Sequence, residues 1–156
     1  LFACATPRTA IAAAKLLLLS GWGLLTAVAL GPALIAVGVA SGHGLPDPHS
    51  MLVIARLVVM TALTSLLALV AGLFASLSRG YLGAVGGLIG LVAGAQIAVV
   101  SPAAQWCPWS LPGLWALSAD TPGLPEISTW RLALVPLAAL PLAVATVHWW
   151  RRSELV

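Results

Sequence analysis

Apolar residues fall in four long runs, and the polar residues fall almost wholly between them. The runs are Leu16 to Gly42, Met51 to Leu77, Tyr81 to Val100, and Leu132 to Trp150. None alternates with period two, so none reads as a half-buried strand. The stretches Leu57 to Leu77 and Tyr81 to Val100 contain no Asp, Glu, Lys, Arg or His. A bilayer core of about 30 Å is crossed by about 20 apolar residues in a helix. In hydrocarbon every backbone N–H and C=O needs an internal partner, so each run is predicted to be a spanning helix. The turn Ser78-Arg79-Gly80-Tyr81 joins the second and third runs as a hairpin. The expected fold is all-α: a polytopic membrane helical bundle of four transmembrane helices.

The spacers refine that picture. Thr6 before Pro7 is expected to start a helix, because proline is tolerated in a first turn. Gly31-Pro32 predicts a kink in the first run. Ser41 to Ser50 reads as a polar loop, with Gly44, Pro46 and Pro48 as turn formers. Ser101 to Trp130 is too apolar for a free loop and too broken for a span. Within it, Ala103 to Leu117 predicts a short interfacial or re-entrant helical segment before the last span. Pro136 and Pro141 interrupt the fourth run.

Composition excludes a water-soluble domain. Charged residues make up 7% of the chain and mean hydropathy is +1.07, whereas soluble domains carry roughly 25% charged residues. The net charge of +3 is spread over the ends of the runs, which gives no basic patch for nucleic acid. A single membrane domain over 1–156 is expected. The chain begins at Leu1 and is expected to be a fragment lacking N-terminal spans. A signal peptide with cleavage near Ala40-Ser41 is the alternative for the first run, which is longer than the roughly 7–15-residue apolar core of such signals. Cys4 and Cys107 lack metal-type spacing and are expected not to pair.

Orientation follows from where the cations lie. With four spans both termini share one side. Placing that side in the cytoplasm puts Arg8, Lys15, Arg79, Arg151 and Arg152 inside, five of the seven basic residues. Arg56, Arg131, Asp47, Asp120 and Glu126 then lie outside. Trp149 and Trp150 mark the inner boundary; Trp106, Trp109, Trp115 and Trp130 mark the outer one. Arg56 is close enough to an end to snorkel, and pairs such as Glu126 with Arg131, or Arg56 with an acid of the long connection, would position the outer ends.

Gly83, Gly87, Gly90 and Gly94 share one helical face, and Thr61, Ser65, Ala68 and Gly72 make a matching small face on the second run. Small faces let helices approach closely in lipid. The two stripes are expected to face each other or a second copy; a glycine-lined conduit is the functional alternative. Gln96 is the one amide within the four runs, and such groups serve either substrate contact or interfacial hydrogen bonding. His43, Asp47 and His49 have ligand chemistry but no third strong ligand nearby in sequence, so no metal site is expected. His148, beside Trp149 and Trp150, reads as an interfacial histidine.

No phosphate-cradling Gly-rich loop, metalloprotease helix motif, nucleophile elbow or pair of intramembrane acids occurs. With no acid, base or nucleophile in mid-span, enzyme chemistry and proton-coupled transport are both unsupported.

Three stretches carry a resemblance. Thr6-Pro7-Arg8 through Ala14-Lys15-Leu16-Leu17, the turn Leu77-Ser78-Arg79-Gly80-Tyr81, and Trp106-Cys107-Pro108-Trp109-Ser110-Leu111-Pro112 together resemble the C-terminal two-thirds of a type-2 ABC exporter permease of the bacitracin or multidrug type. Arg8 departs from that pattern by following Pro7 directly. The resemblance implies a six-span subunit in the bacterial cell membrane with both ends of this fragment cytoplasmic. It implies a homodimer or heterodimer of permease subunits, working with separate ABC ATPase subunits that hold ATP and Mg. It places Thr6, Arg8, Lys15 and Arg79 on the ATPase-facing side, and export of a hydrophobic or amphiphilic substrate as the function. A non-transporting membrane scaffold or accessory subunit is the alternative from composition alone.

Overall fold

The computed structural model describes residues 7–78, 81–118, 121, 124 and 126–152, with Arg8 described by its backbone alone. Six α-helices follow one another: α1 (Arg8–Ala40), α2 (Pro48–Leu67), α3 (Val70–Leu77), α4 (Tyr81–Val99), α5 (Leu111–Leu117) and α6 (Leu134–Arg152). Short 3₁₀ turns at Pro102–Trp106 and Thr129–Ala133 flank α5. No strand occurs among the described residues. Four stretches are long and apolar enough to cross a membrane: Thr9–Ala40, Pro48–Leu77, Tyr81–Val99 and Thr129–Arg152. The protein is an all-α, multi-pass membrane bundle.

Helix ends follow local chemistry. The N-cap of α1 is Pro7, one residue later than expected, and it supplies no side-chain cap. The helix then runs unbroken through Pro32 for 33 residues, about 50 Å at 1.5 Å per residue. It ends in a Schellman motif. Gly42, at φ 83°, donates to the Val39 carbonyl at 3.0 Å, and His43 donates to that of Gly38 at 3.1 Å. A side chain at position 42 would be strained by that positive φ.

The second span starts at Pro48, three residues before the expected Met51. Pro48 is the first helical residue rather than a turn former. The Asp47 carboxylate accepts the Ser50 N–H at 3.0 Å and caps the helix. At Ala68 and Leu69 the span is interrupted. Leu69, Ala71 and Gly72 donate to carbonyls three residues back, at 3.1, 2.9 and 3.0 Å. This is local 3₁₀ tightening, and it divides a run that the sequence shows as continuous.

α1 packs on α2 and α6, and α6 also packs on α2 and α3. α4 stands at the edge. It touches α3 near one end and the Pro102–Trp106 turn near the other, and only 6% of its apolar window is buried. Both described termini lie at one end of the bundle: the Lys15 ammonium stands 5.9 Å from the Trp150 ring centroid, and Trp150 Nε1 donates to Ser76 Oγ at 2.7 Å.

The long connection dips into the bundle rather than lying flat. Leu111 and Val135 are fully buried, and they form a core cluster with Leu67, Ala104, Leu114 and Ile127. Leu67 lies nineteen residues beyond Pro48, roughly 28 Å along the helix axis. The segment that covers it is therefore well inside the span. Ser110 is buried and holds this segment together, donating to the Ala104 and Cys107 carbonyls at 2.8 and 3.0 Å.

The small residues have specific neighbours. A Cβ on Gly23 would fall 2.4 Å from Ser65 Cβ, so these two positions set the α1–α2 separation. A Cβ on Gly72 would fall 2.9 Å from Leu16 Cδ2, and one on Gly87 would fall 3.1 Å from the Phe74 ring. Gly83 sits against Ser78 of its own hairpin. The expected meeting of the two stripes is thus corrected: Ser65 faces α1, Gly72 faces α1 and α6, and Gly87 faces α3. Gly86, Gly90 and Gly94 meet nothing within 4 Å. Gly23→Leu should lower the melting temperature of the detergent-purified chain sharply, as overpacking of this kind costs about 1–3 kcal/mol. Gly90→Leu should leave the monomer's melting unchanged and lower cross-linking between copies if the open glycine row is a dimer seam. Equal melting of the two variants would refute the assigned packing.

Candidate functional site

A cleft of about 480 Å³ between α2, α4 and α5 is the candidate site. It exists because α4 leans away from α2 and touches the bundle mainly near its two ends. α2 contributes Met60, Thr64, Leu67 and Ala68. α4 contributes an apolar row ending in Ala95, Gln96 and Val99. α5 and the turn before it supply Trp109, Ser110, Gly113 and Leu114. Most of this wall is hydrocarbon, and no charged side chain lines it. The size falls in the range that holds a drug-sized molecule.

Four polar residues interrupt the apolar wall. Gln96 and Thr64 are exposed side chains on helices that face each other across the cleft. Trp109 also lines it, and its Nε1 is buried without a hydrogen-bond partner among the described residues. The fourth, Ser110, already spends its proton on backbone carbonyls.

Of the path candidates Thr61, Ser65, Gly83, Gly87, Gly90, Gly94 and Gln96, Gln96 alone lines this cleft, joined by Ala68 of the small stripe. Thr61 donates to the Leu57 carbonyl at 2.8 Å, and Ser65 donates to that of Thr61 at 2.8 Å, so both hydroxyls are used within α2. Gly83 and Gly87 pack within the α3–α4 hairpin, while Gly90 and Gly94 are open to the surroundings of the bundle. Lys15 is exposed and reaches Trp150. Thr6, Arg79 and Asp120 lie outside the described residues, as does the side chain of Arg8. Thr64 and Trp109 were missed as site residues. Thr64 lies outside the regular small stripe, and nothing in the spacing of Trp109 separates a buried ring from an interfacial one.

At the end opposite Lys15, aromatic rings receive the arginines, while Asp120, an expected partner for Arg56, lies outside the described residues. The Arg131 guanidinium carbon is 4.8 Å from the Trp106 ring centroid and 5.7 Å from that of Trp130, and its Nη1 donates to Gln105 Oε1. Trp106 and Trp130 meet edge to face at 6.1 Å. Arg56 lies 5.3 Å from the Trp115 centroid. Pairing of Arg131 with Glu126 is not seen among the described residues. Cation–π contacts of this type contribute about 0.5–2 kcal/mol each, more when water is excluded. The Arg56–Trp115 contact braces the long connection against α2, and the Arg131 contacts tie the two ends of that connection to each other.

A second cleft of about 420 Å³ opens beside the loop after α1, lined by His43, Asp47 and Ser50 among others. Among the described residues no group of three His, Cys, Asp or Glu side chains is placed to hold a metal ion. Asp47 serves as a helix cap. The Ser50 hydrogen bond holds its carboxyl below the ordinary value of 3.8, with His49 adding a smaller effect in the same direction. Cys107 is a half-buried free thiol, and Cys4 lies outside the described residues.

No known protein family, curated protein or solved structure matches this chain.

The Asp47 cap gives a pH prediction. A depressed folded-state value means that the carboxylate's contribution is present at neutral pH and is lost as pH falls through that value, below about 3.8. Thermal melting in detergent should therefore show an acid-side loss that Asp47→Asn removes while keeping a cap. Asp47→Ala should melt lower at neutral pH. An unchanged acid profile in Asp47→Asn would remove this role.

Proposed function

We propose that the chain is a membrane-embedded transport subunit that receives a hydrophobic or amphiphilic substrate in the cleft between α2, α4 and α5. The observation that carries this reading is the cleft itself: a drug-sized, uncharged, largely apolar cavity within a bundle of spanning helices. Its third wall, α5, belongs to a segment with short helices and turns, and its second wall, α4, is lightly held. Walls of this kind can move with less disruption than α1 and α2, which pack tightly along their length.

In its more specific form, the reading is a permease subunit of an ATP-binding-cassette exporter in the bacterial inner membrane, with both ends of this chain cytoplasmic. The support for that form is the sequence resemblance and the distribution of Lys and Arg. Hydrolysis of ATP would then belong to a separate ATPase, docking near Lys15 and the Arg79 turn. Two permease subunits would pair, and differential affinity of nucleotide for two states would drive the cycle. The row Gly86, Gly90 and Gly94, which meets nothing within 4 Å, suits pairing of that kind. The same row also favours the second reading, a scaffold or accessory subunit whose open helix faces bind other membrane proteins.

Affinity purification of the protein from its native membrane separates the two. Co-purification of an ATPase, with nucleotide hydrolysis stimulated by amphiphiles, is expected for the transporter. A deletion strain lacking redundant pumps should be sensitised to at least one amphiphile or antibiotic. Recovery of membrane partners without any ATPase, and no sensitisation across a wide panel, would favour the scaffold.

A further inference from the structure

The lining of the α2–α4–α5 cleft has a chemistry more particular than its size. Its accessible polar groups are the Gln96 amide and the Thr64 hydroxyl, both neutral, beside a Ser110 hydroxyl already spent on backbone carbonyls. The Gln96 amide and the Thr64 hydroxyl stand on facing helices, and neither has a hydrogen-bond partner among the described residues. In most helical serines and threonines of this protein the hydroxyl is spent on the carbonyl four residues back, as in Ser20, Thr26, Thr61, Ser65 and Thr146. Thr64 is an exception, and its hydroxyl remains available to the cleft. Trp109 lines the same cleft with its ring, its Nε1 being buried away from the cleft surface.

Unpaired polar groups in an apolar setting lose hydrogen bonds that water would otherwise supply. Here the unpaired set includes donors and acceptors but no charge. A ligand bearing oxygen atoms that both donate and accept would satisfy it. A carboxylate or an ammonium placed there would be desolvated with no counter-charge, since every cation and acid of the described chain lies outside the lining.

We propose that this cleft binds a neutral single-chain amphiphile, its hydroxyl or ester-carbonyl end held by Gln96 and Thr64 and its chain lying along the apolar wall formed by Met60, Leu67 and Val92. The proposal rests on reading the cleft as the substrate site, and it adds the rule by which that site selects. Charge, more than chain length, decides what enters.

The test uses the full chain in phosphatidylcholine nanodiscs and three photoreactive probes with the same alkyl chain: a monoacylglycerol, the corresponding fatty acid and an alkyl trimethylammonium. Saturable labelling by the monoacylglycerol, mapped by mass spectrometry to α2, α4 or α5, is expected. The two charged probes should bind at least about ten-fold more weakly, given the penalty for a buried unpaired charge. Gln96→Leu should weaken the neutral probe about ten-fold, the usual effect of losing hydrogen bonds from a site built to make them. Thr64→Val, close in shape, should weaken it less and leave melting unchanged. Equal labelling by all three probes, labelling elsewhere on the chain, no saturable labelling at all, or unaltered affinity in both variants would each overturn the proposal. Selective binding without an ATPase partner or drug phenotype would leave it standing while removing the transporter reading. A drug phenotype with unselective binding would do the reverse.

Discussion

Hydrocarbon supplies no hydrogen bonds, so every backbone amide buried in it has to be satisfied by the chain itself. That constraint accounts for the four spanning helices, and it also accounts for the least regular part of the molecule. The connection between α4 and α6 contains three described prolines, at 102, 108 and 112, and it does not form one continuous helix. Such backbone is tolerated at depth only where protein surrounds it. Accordingly Leu111, Pro112 and Val135 are fully buried against α2, and Ser110 closes the turn with two carbonyl contacts. The cleft is a by-product of this arrangement, because α5 takes up space against α2 that α4 would otherwise fill.

Close approach does the rest. Gly23 against Ser65 and Gly72 against Leu16 bring α1 and the second span into direct contact, with no room for a Cβ. In lipid such packing substitutes for the hydrophobic drive that holds soluble cores together. α4 lacks an equivalent seam along most of its length. Its glycines at 83 and 87 meet α3, and those at 86, 90 and 94 meet nothing within the chain. The bundle therefore has a firm body and one lightly held wall, and the candidate site lies where the two meet.

The number and order of spans were legible in the sequence because charge-free runs of this length have few other solutions. The short helices between Ala103 and Leu117 were legible for the same reason, since prolines and tryptophans break the run without making it polar. Other features were hidden. The helix start at Pro48 was signalled by Asp47 and Ser50 but outweighed by the polarity of the loop. The break at Ala68-Leu69 has no proline or glycine at the site to announce it. Periodicity correctly put Ser65 and Gly72 on a small face, but it could not say that their partners are α1 and α6. The outer arginines were assigned to carboxylates because charge is visible in a sequence, whereas the Trp106, Trp115 and Trp130 faces that receive them depend on the fold. Gln96 was visible as an isolated amide; its facing partner Thr64 was not.

Four crossings leave Lys15 and Arg151 on one side of the membrane and His43 and Glu126 on the other. Single cysteines at these four positions, in a chain carrying Cys4→Ala and Cys107→Ala, would be probed in sealed cells with a thiol reagent that does not cross membranes. Labelling of one pair from outside, 43 with 126 or 15 with 151, is expected, with the other pair reacting only after permeabilisation. Labelling of positions 15 and 43 together from the same side would contradict the four-span bundle.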